Sequence, residues 1–293
     1  MDAHAGSRLP RIGDGPLVRR ALIGFVLILG SILILMPLIV IFTSAFSMGV
    51  GHFAATIAAP DTRHAIMLTV ITALIAVPVN TVFGVAAAWA VTKHDFPGKR
   101  LLIVLIEIPF SISPIVAGVA YLFVYGLQGL FGQALQDAEI RILFALPGIV
   151  LASMFVTAPF VARELMPLMQ AQGRELEEAA TSLGASGLRT FMTVTLPNIR
   201  WALLYGVVLC NARVMGEFGA VSVVSGNIRG QTNTLPLQIE LLYNDYNTVG
   251  AFAAASILTV LALVTLVAKV WLEGRRTQAA STDTILPPGG LAR

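Results

Sequence analysis

The chain has 293 residues, 56% of them hydrophobic and 12% charged, with 19 Lys+Arg, 16 Asp+Glu and a net charge of +3. Soluble domains carry about 25% charged residues, so this chain cannot cover a soluble surface of its size, which excludes a soluble enzyme, a disordered protein and a nucleic-acid binder. The sequence belongs in a membrane.

A spanning helix needs about 20 mainly apolar residues to cross a hydrocarbon core of about 30 Å, and six segments meet that requirement. A short Arg-bearing start (Arg8, Arg11, Arg19, Arg20) precedes the first, at 20–46. Its apolar run exceeds the roughly 7–15 residues of a cleaved signal, so it reads as a retained anchor. Span two is the charge-free run 65–92, span three covers 101–126 and holds only Glu107, and span four is 142–162, bounded by Arg141 and Arg163. Span five, 199–224, contains Arg213 and Glu217, and span six covers 247–270. Prolines 37, 78, 109, 114, 147 and 159 punctuate the spans, tolerated where neighbouring helices satisfy the freed carbonyls. Small-residue runs such as Gly84–Ala88 let helix backbones approach closely. Glu107 suits a structural role, as a partner to a cation or to backbone freed by Pro109.

Lys and Arg placement sets orientation. With the N-terminus inside, 15 of the 19 basic residues fall on inner segments and only Arg63, Arg141 and Arg229 outside. Both termini are therefore expected in the cytoplasm. The single Cys210 sits in an apolar run and reads as a small buried hydrophobe. His4, His52, His64 and His94 never pair at ligand spacing, so no metal site is expected.

Between spans four and five lies the inner segment 163–198. Glu175, Glu177 and Glu178 crowd a helix start, where acids complement the dipole. Ala179 and Ala180 continue the helix, Gly184 suits a left-handed stop, Ser186 suits a cap, and Pro197 suits the first turn of span five. Such a helix outside the membrane fits a partner's groove, and equally an ordinary surface. The stretch also matches a known pattern: Glu178-Ala179-Ala180, three residues, Gly184, nine residues, Val194, one residue, Leu196-Pro197. It resembles the cytoplasmic signature of binding-protein-dependent ABC importer permeases, with Val194 replacing the family's Ile.

That resemblance implies an all-α integral membrane protein of six transmembrane helices with the type I importer permease fold. Residues 1–19 would be a cytoplasmic tail, 20–61 the first helix and outer loop, 62–270 the permease core with its coupling loop, and 271–293 a second cytoplasmic tail. It further implies that no cofactor belongs to this chain: ATP and magnesium would be held by a separate ATPase, and no Gly-x-x-x-x-Gly-Lys-Ser/Thr phosphate loop occurs here.

In span five, Arg213 and Glu217 are four residues apart, and ionisable groups at bilayer depth are functional candidates. Either they neutralise each other and fix packing, or, with Gly216 and Gly219, they line a translocation path. The stretch 213–219 resembles the Arg-x-x-Gly-Glu-Phe/Tyr-Gly of permeases for sulfate, thiosulfate and molybdate, and 221–237 is similar to the second of two paired sulfate permeases. The implied assembly contains a second homologous permease, two ATP-binding subunits and a periplasmic sulfate- or thiosulfate-binding protein, in a bacterial inner membrane. Contact would be with lipid and not with nucleic acid. A molybdate or other oxyanion permease is the alternative; an ion-coupled secondary carrier is disfavoured by the docking loop. Segment 234–247 reads as a surface-lying helix.

Overall fold

The computed structural model describes residues 16–283, and the regular elements among them are helical. In chain order they are α1 (Pro16–Ala45), α2 (Gly49–Ala58), α3 (Pro60–Lys93), α4 (Lys99–Ser111), α5 (Pro114–Tyr125), α6 (Gly132–Asp137) and α7 (Leu146–Thr157). They continue with α8 (Pro159–Gln172), α9 (Glu175–Ser182), α10 (Gly187–Thr190), a π-helical turn (Phe191–Thr195), α11 (Leu196–Met215), α12 (Gly219–Val224), α13 (Leu235–Asn244) and α14 (Thr248–Asp283). The expected tails at 1–15 and 284–293 lie outside the described residues.

Five stretches are long and apolar enough to cross a bilayer: Leu17–Ala45, Pro60–Lys93, Leu146–Gln172, Gly187–Met215 and Thr248–Thr265. The sixth expected span, 101–126, is not one rod. It breaks into α4 and α5, bent by 110°. The cause is local. Proline disfavours the helical conformation in the residue before it, and both Ile112 (ψ 135°) and Ser113 (ψ 133°) are extended ahead of Pro114. Two consecutive non-helical residues turn the chain.

Two other boundaries move. The fourth span does not stop at Ala162: α8 runs on to Gln172, burying Leu165 and Met169, so Arg163 sits within a helix instead of at its end. The fifth stops early, at Met215, and α12 begins only at Gly219. The short helices α2 and α6 lacked a periodic signal long enough to be foreseen. Pro114, Pro147 and Pro159 open α5, α7 and α8, where the missing N–H has no intrahelical partner to lose.

The core forms where α3, α8 and α11 cross. Val161 of α8 is wedged between two glycines: a Cβ on Gly84 of α3 would lie 2.6 Å from its Cβ, and one on Gly206 of α11 would lie 3.3 Å from its Cα. The small-residue run at 84–88 is thus a packing seam. Around it Ala76, Leu165, Met169, Ile199 and Cys210 are buried. Asn80, also buried, donates to the Thr157 hydroxyl (2.7 Å) and to the Met154 carbonyl (3.1 Å), tying α3 to α7. By contrast α1 packs at the periphery against α14 with its apolar side chains exposed. Segment 234–247 only half lies on the surface: Leu235–Gln238 are buried and Tyr243 is exposed.

Filling the seam is expected to destabilise. Gly84→Leu forces overpacking worth about 1–3 kcal/mol, whereas Gly24→Leu meets nothing within 4 Å. Thermal unfolding of the purified protein in detergent should show a lowered midpoint for the first variant alone. Equal midpoints would contradict the seam.

Candidate functional site

Two groups of residues carry unusual chemistry, one at each end of α11. The first is built on α9. Glu175, Glu177 and Glu178 occupy its first turn. Its far end is a complete left-handed stop: Gly184 has φ +85°, its N–H donates to the Thr181 carbonyl (2.9 Å), and the Ala185 N–H donates to the Ala180 carbonyl (3.0 Å). This paired six-to-one and five-to-two bonding satisfies carbonyls the helix would leave open. Ser186 opens α10 but makes no capping side-chain bond, contrary to its expected role.

What fixes α9 to the membrane helices was not legible in the sequence. The Glu177 carboxylate turns back toward the bundle, pairing with Lys93 at 2.8 Å and accepting from the Thr195 hydroxyl at 3.1 Å. Lys93, the last residue of α3, also donates to the Gly173 carbonyl just past α8. Its side chain is 6% exposed, so the pair is screened from water. Beside it Asp95 bridges Lys99 (2.8 Å) and Arg174 (2.9 Å). The Glu177 carboxylate thus joins α3 to the turn before α11, and Lys93 adds the end of α8 through the Gly173 carbonyl. Burial pushes the Glu177 carboxyl up, but the Lys93 hydrogen bond and charge with its other bonds outweigh this and hold it below the usual range. Lys99 and Arg174 lower Asp95 in the same way. Both pairs therefore persist at neutral pH and weaken only as acid titrates the lowered carboxyls.

The signature residues divide between two places. Glu178, Ala179 and Gly184 are exposed, as is Leu183 at 90%, and Ala180 is half-buried. Val194 lies in the π turn, and Leu196 and Pro197 begin α11, where Leu196 packs on the core. A cleft of about 530 Å³ lies between α9 and the bundle, lined by Trp89, Lys93, Glu177, Glu178, Phe191 and Thr195 among others.

The second group lies at the break between α11 and α12. Arg213 is in the last turn of α11, and Glu217 is in the break instead of on the helix face expected of it. The two do pair, Nη1 to Oε2, at 3.0 Å. The other carboxylate oxygen accepts the Ala220 N–H at 3.1 Å, so one buried acid joins the C-terminal turn of α11 to the first turn of α12. Both helix ends favour this polarity, cation at the C-terminus and anion at the N-terminus. Gly216 is exposed, while Gly219 is packed so closely that its Cβ would lie 3.0 Å from Pro114 Cβ. All four candidates therefore meet at one break, pressed against the other break at 112–113. Glu107 of α4 stands apart, exposed and without an ion pair within 4.0 Å among the described residues.

Residues 80–278 match the family described as binding-protein-dependent transport system inner membrane component. The chain is 57% identical over 254 residues to the sulfate transport system permease protein CysW of Escherichia coli K12, covering 87% of each. It is 34% identical over 263 residues to the sulfate transport system permease protein CysT of Salmonella typhimurium, covering 88% of this chain and 95% of that one. Its fold is similar to the crystal structure of a bacterial ABC transporter involved in import of the acidic polysaccharide alginate, with TM-score 0.72, 16% identity, 89% of this chain and 96% of the other.

Glu217 is buried but Arg213 is over a third exposed, so breaking the pair is expected to cost less than the roughly 3–5 kcal/mol of a fully buried one. Arg213→Ala, which strands the Glu217 carboxylate, should lower the unfolding midpoint of the purified protein more than Arg213→Ala with Glu217→Ala together. A double variant at least as unstable as the single would contradict the pairing.

Proposed function

The chain belongs to the binding-protein-dependent transport inner membrane components, and from that premise we propose that it is the membrane-spanning subunit of an ATP-driven importer of sulfate, with thiosulfate as a further substrate. The substrate reading rests on the 57% identity to the Escherichia coli sulfate permease. A second, homologous permease completes the path, as the similarity to both CysW and CysT supports. Two ATP-binding subunits on the cytoplasmic side hold ATP and magnesium, so this chain is no enzyme itself. A periplasmic binding protein delivers the anion, and the membrane is the bacterial inner membrane.

The observation that carries the mechanism is the fastening of α9. One side of this helix is locked to three spans by Lys93, Glu177, Gly173 and Thr195. The other presents Ala179 and Leu183 to a partner. When ATP draws the ATPase pair together, a docked α9 moves with it and carries the ends of α3, α8 and α11. The path then changes its side of access. This is a two-state equilibrium, and ATP drives it only by binding one state better than the other. Gly184 keeps α9 short and correctly aimed, because an L-residue there pays roughly 1–2 kcal/mol for the left-handed conformation.

Cells deleted for their own permease of this type, supplied with this chain and its partners, should regain ATP-dependent uptake of radiolabelled sulfate. Nothing lies within 4 Å of a Cβ at Gly184, so Gly184→Val should leave the protein in the membrane yet reduce uptake at least about tenfold, in line with 1.4 kcal/mol per decade. Uptake of molybdate in place of sulfate would overturn the substrate, and normal transport by the Gly184→Val variant would overturn the coupling role.

A further inference from the structure

Arg213 is neutralised by Glu217, but a second arginine within a span is not. Arg163 is exposed on α8 and has no ion pair within 4.0 Å among the described residues. It lies ten residues before Gly173, the level at which Lys93 closes the α9 end, which places it about 15 Å along the helix. An apolar core is about 30 Å thick. Arg163 therefore lies well inside the span Leu146–Gln172, where an unpaired cation facing lipid is costly.

The surroundings say what it faces instead. On α7, Ala152 and Val156 are buried against Ala220 and Val224 of α12, with Tyr121 of α5 packed alongside. At helical spacing the same stripe runs on through Phe160 to Arg163. There the cover ends. α5 and α12 thus form a roof over α7 and leave α8 open beneath it. α4 makes one wall, with Ile106 on Ala162, and α11 makes the other, with Gly206 on Val161. The roof is closed by contact of the two broken spans, since a Cβ on Gly118 of α5 would lie 2.8 Å from the Ala220 carbonyl of α12. The Arg213–Glu217 pair lies at the α11–α12 break beside this roof, and Arg163 is exposed on α8 beyond its cover.

The guanidinium is also held in a definite pose. Its Cζ stands 4.9 Å from the centre of the Phe110 ring, and Phe110 rests on Phe160 at 5.2 Å. Stacking on an aromatic face fixes the plane of an arginine while leaving its edge of N–H donors free. That edge matches two oxygens of a tetrahedral oxyanion, and charge-assisted bonds of this kind are strong where water is scarce.

We propose that Arg163 is the anion-binding contact within the membrane part of this permease, receiving a divalent tetrahedral oxyanion after it passes the Arg213–Glu217 layer. This rests on the importer reading but names a residue which that reading did not use. Arg213, already partnered, shapes the passage; Arg163 supplies the unspent positive charge. Glu107, three residues before Phe110 on the same face of α4, puts a negative charge toward the α9 side and opposes overly tight holding, as a conducting site requires.

The test is cysteine substitution in the assembled transporter, where the native Cys210 is buried and serves as the unreactive control. Arg163→Cys should assemble, lose uptake at least about tenfold as expected for a lost charge-assisted bond, and be labelled by water-soluble methanethiosulfonates. The cationic ethyltrimethylammonium reagent should restore much of the rate, the anionic ethylsulfonate reagent should not, and sulfate should slow labelling. Arg163→Lys should retain most activity. Failure of both reagents to label the cysteine would show it covered by lipid or by the partner permease and would overturn the proposal, as would equal uptake after either label. Loss of assembly in Arg163→Lys would point to packing and overturn it too. Labelling is read by mass, so it stands even if the wild-type complex moves no sulfate, a result that would count against the importer reading alone.

Discussion

The Lys93–Glu177 pair is the joint on which the rest of the molecule turns. A lysine ending one span and a glutamate on a helix outside the spans meet at 2.8 Å, and the Gly173 carbonyl and Thr195 hydroxyl complete their bonding. Exposed ion pairs contribute little because water competes for each partner. This one is largely shielded, and its further hydrogen bonds satisfy the groups that burial would leave open. The consequence is mechanical. α9 cannot shift without pulling on α3, α8 and α11, the three helices whose close crossing at Gly84, Val161 and Gly206 makes the core. A force applied to the exposed Leu183 side is therefore delivered to the centre of the bundle.

At the opposite end of that core the chain does the reverse and interrupts its helices. α4 turns sharply into α5, α11 stops before α12, and the two interruptions pack on each other through Pro114, Gly118, Gly219 and Ala220. Irregular backbone at membrane depth is tolerated where protein or a water-filled cavity surrounds it. Glu217 serves this arrangement directly, filling the gap with one carboxylate shared between Arg213 and the Ala220 N–H. A rigid fastening at one end and a pair of broken helices at the other are what a subunit needs if a push at the first is to rearrange the second.

Much of this was legible from residue order. Charge-free runs located the spans because lipid tolerates few ionisable groups, and the Gly184 stop was readable because only glycine adopts a left-handed conformation cheaply. Three features were not. The 110° bend needed two extended residues before Pro114, whereas proline alone is compatible with a mere kink. The Lys93–Glu177 pairing joins residues 84 apart in the chain, and no local pattern marks such a partner; Glu177 looked like an ordinary first-turn acid. A charge at the end of an apolar run marks Arg163 as a span boundary, yet the helix continues for nine residues with Leu165 and Met169 buried. For Arg213 and Glu217 the spacing was informative, since residues four apart can pair, but it did not show that the helix ends between them.

The central claim is that α9 drives the bundle through Lys93 and Glu177, and exchanging the two charges tests it most directly. In the assembled transporter, sulfate uptake and the ATPase response to the loaded binding protein would be measured for Lys93→Glu, Glu177→Lys and both together. Each single change brings like charges together at the joint and should cut uptake at least about tenfold, consistent with the loss of a largely buried pair. The double variant should regain several-fold over either single variant, along with the ATPase response. Singles that transport normally, or a double variant no better than the worse single, would contradict the account.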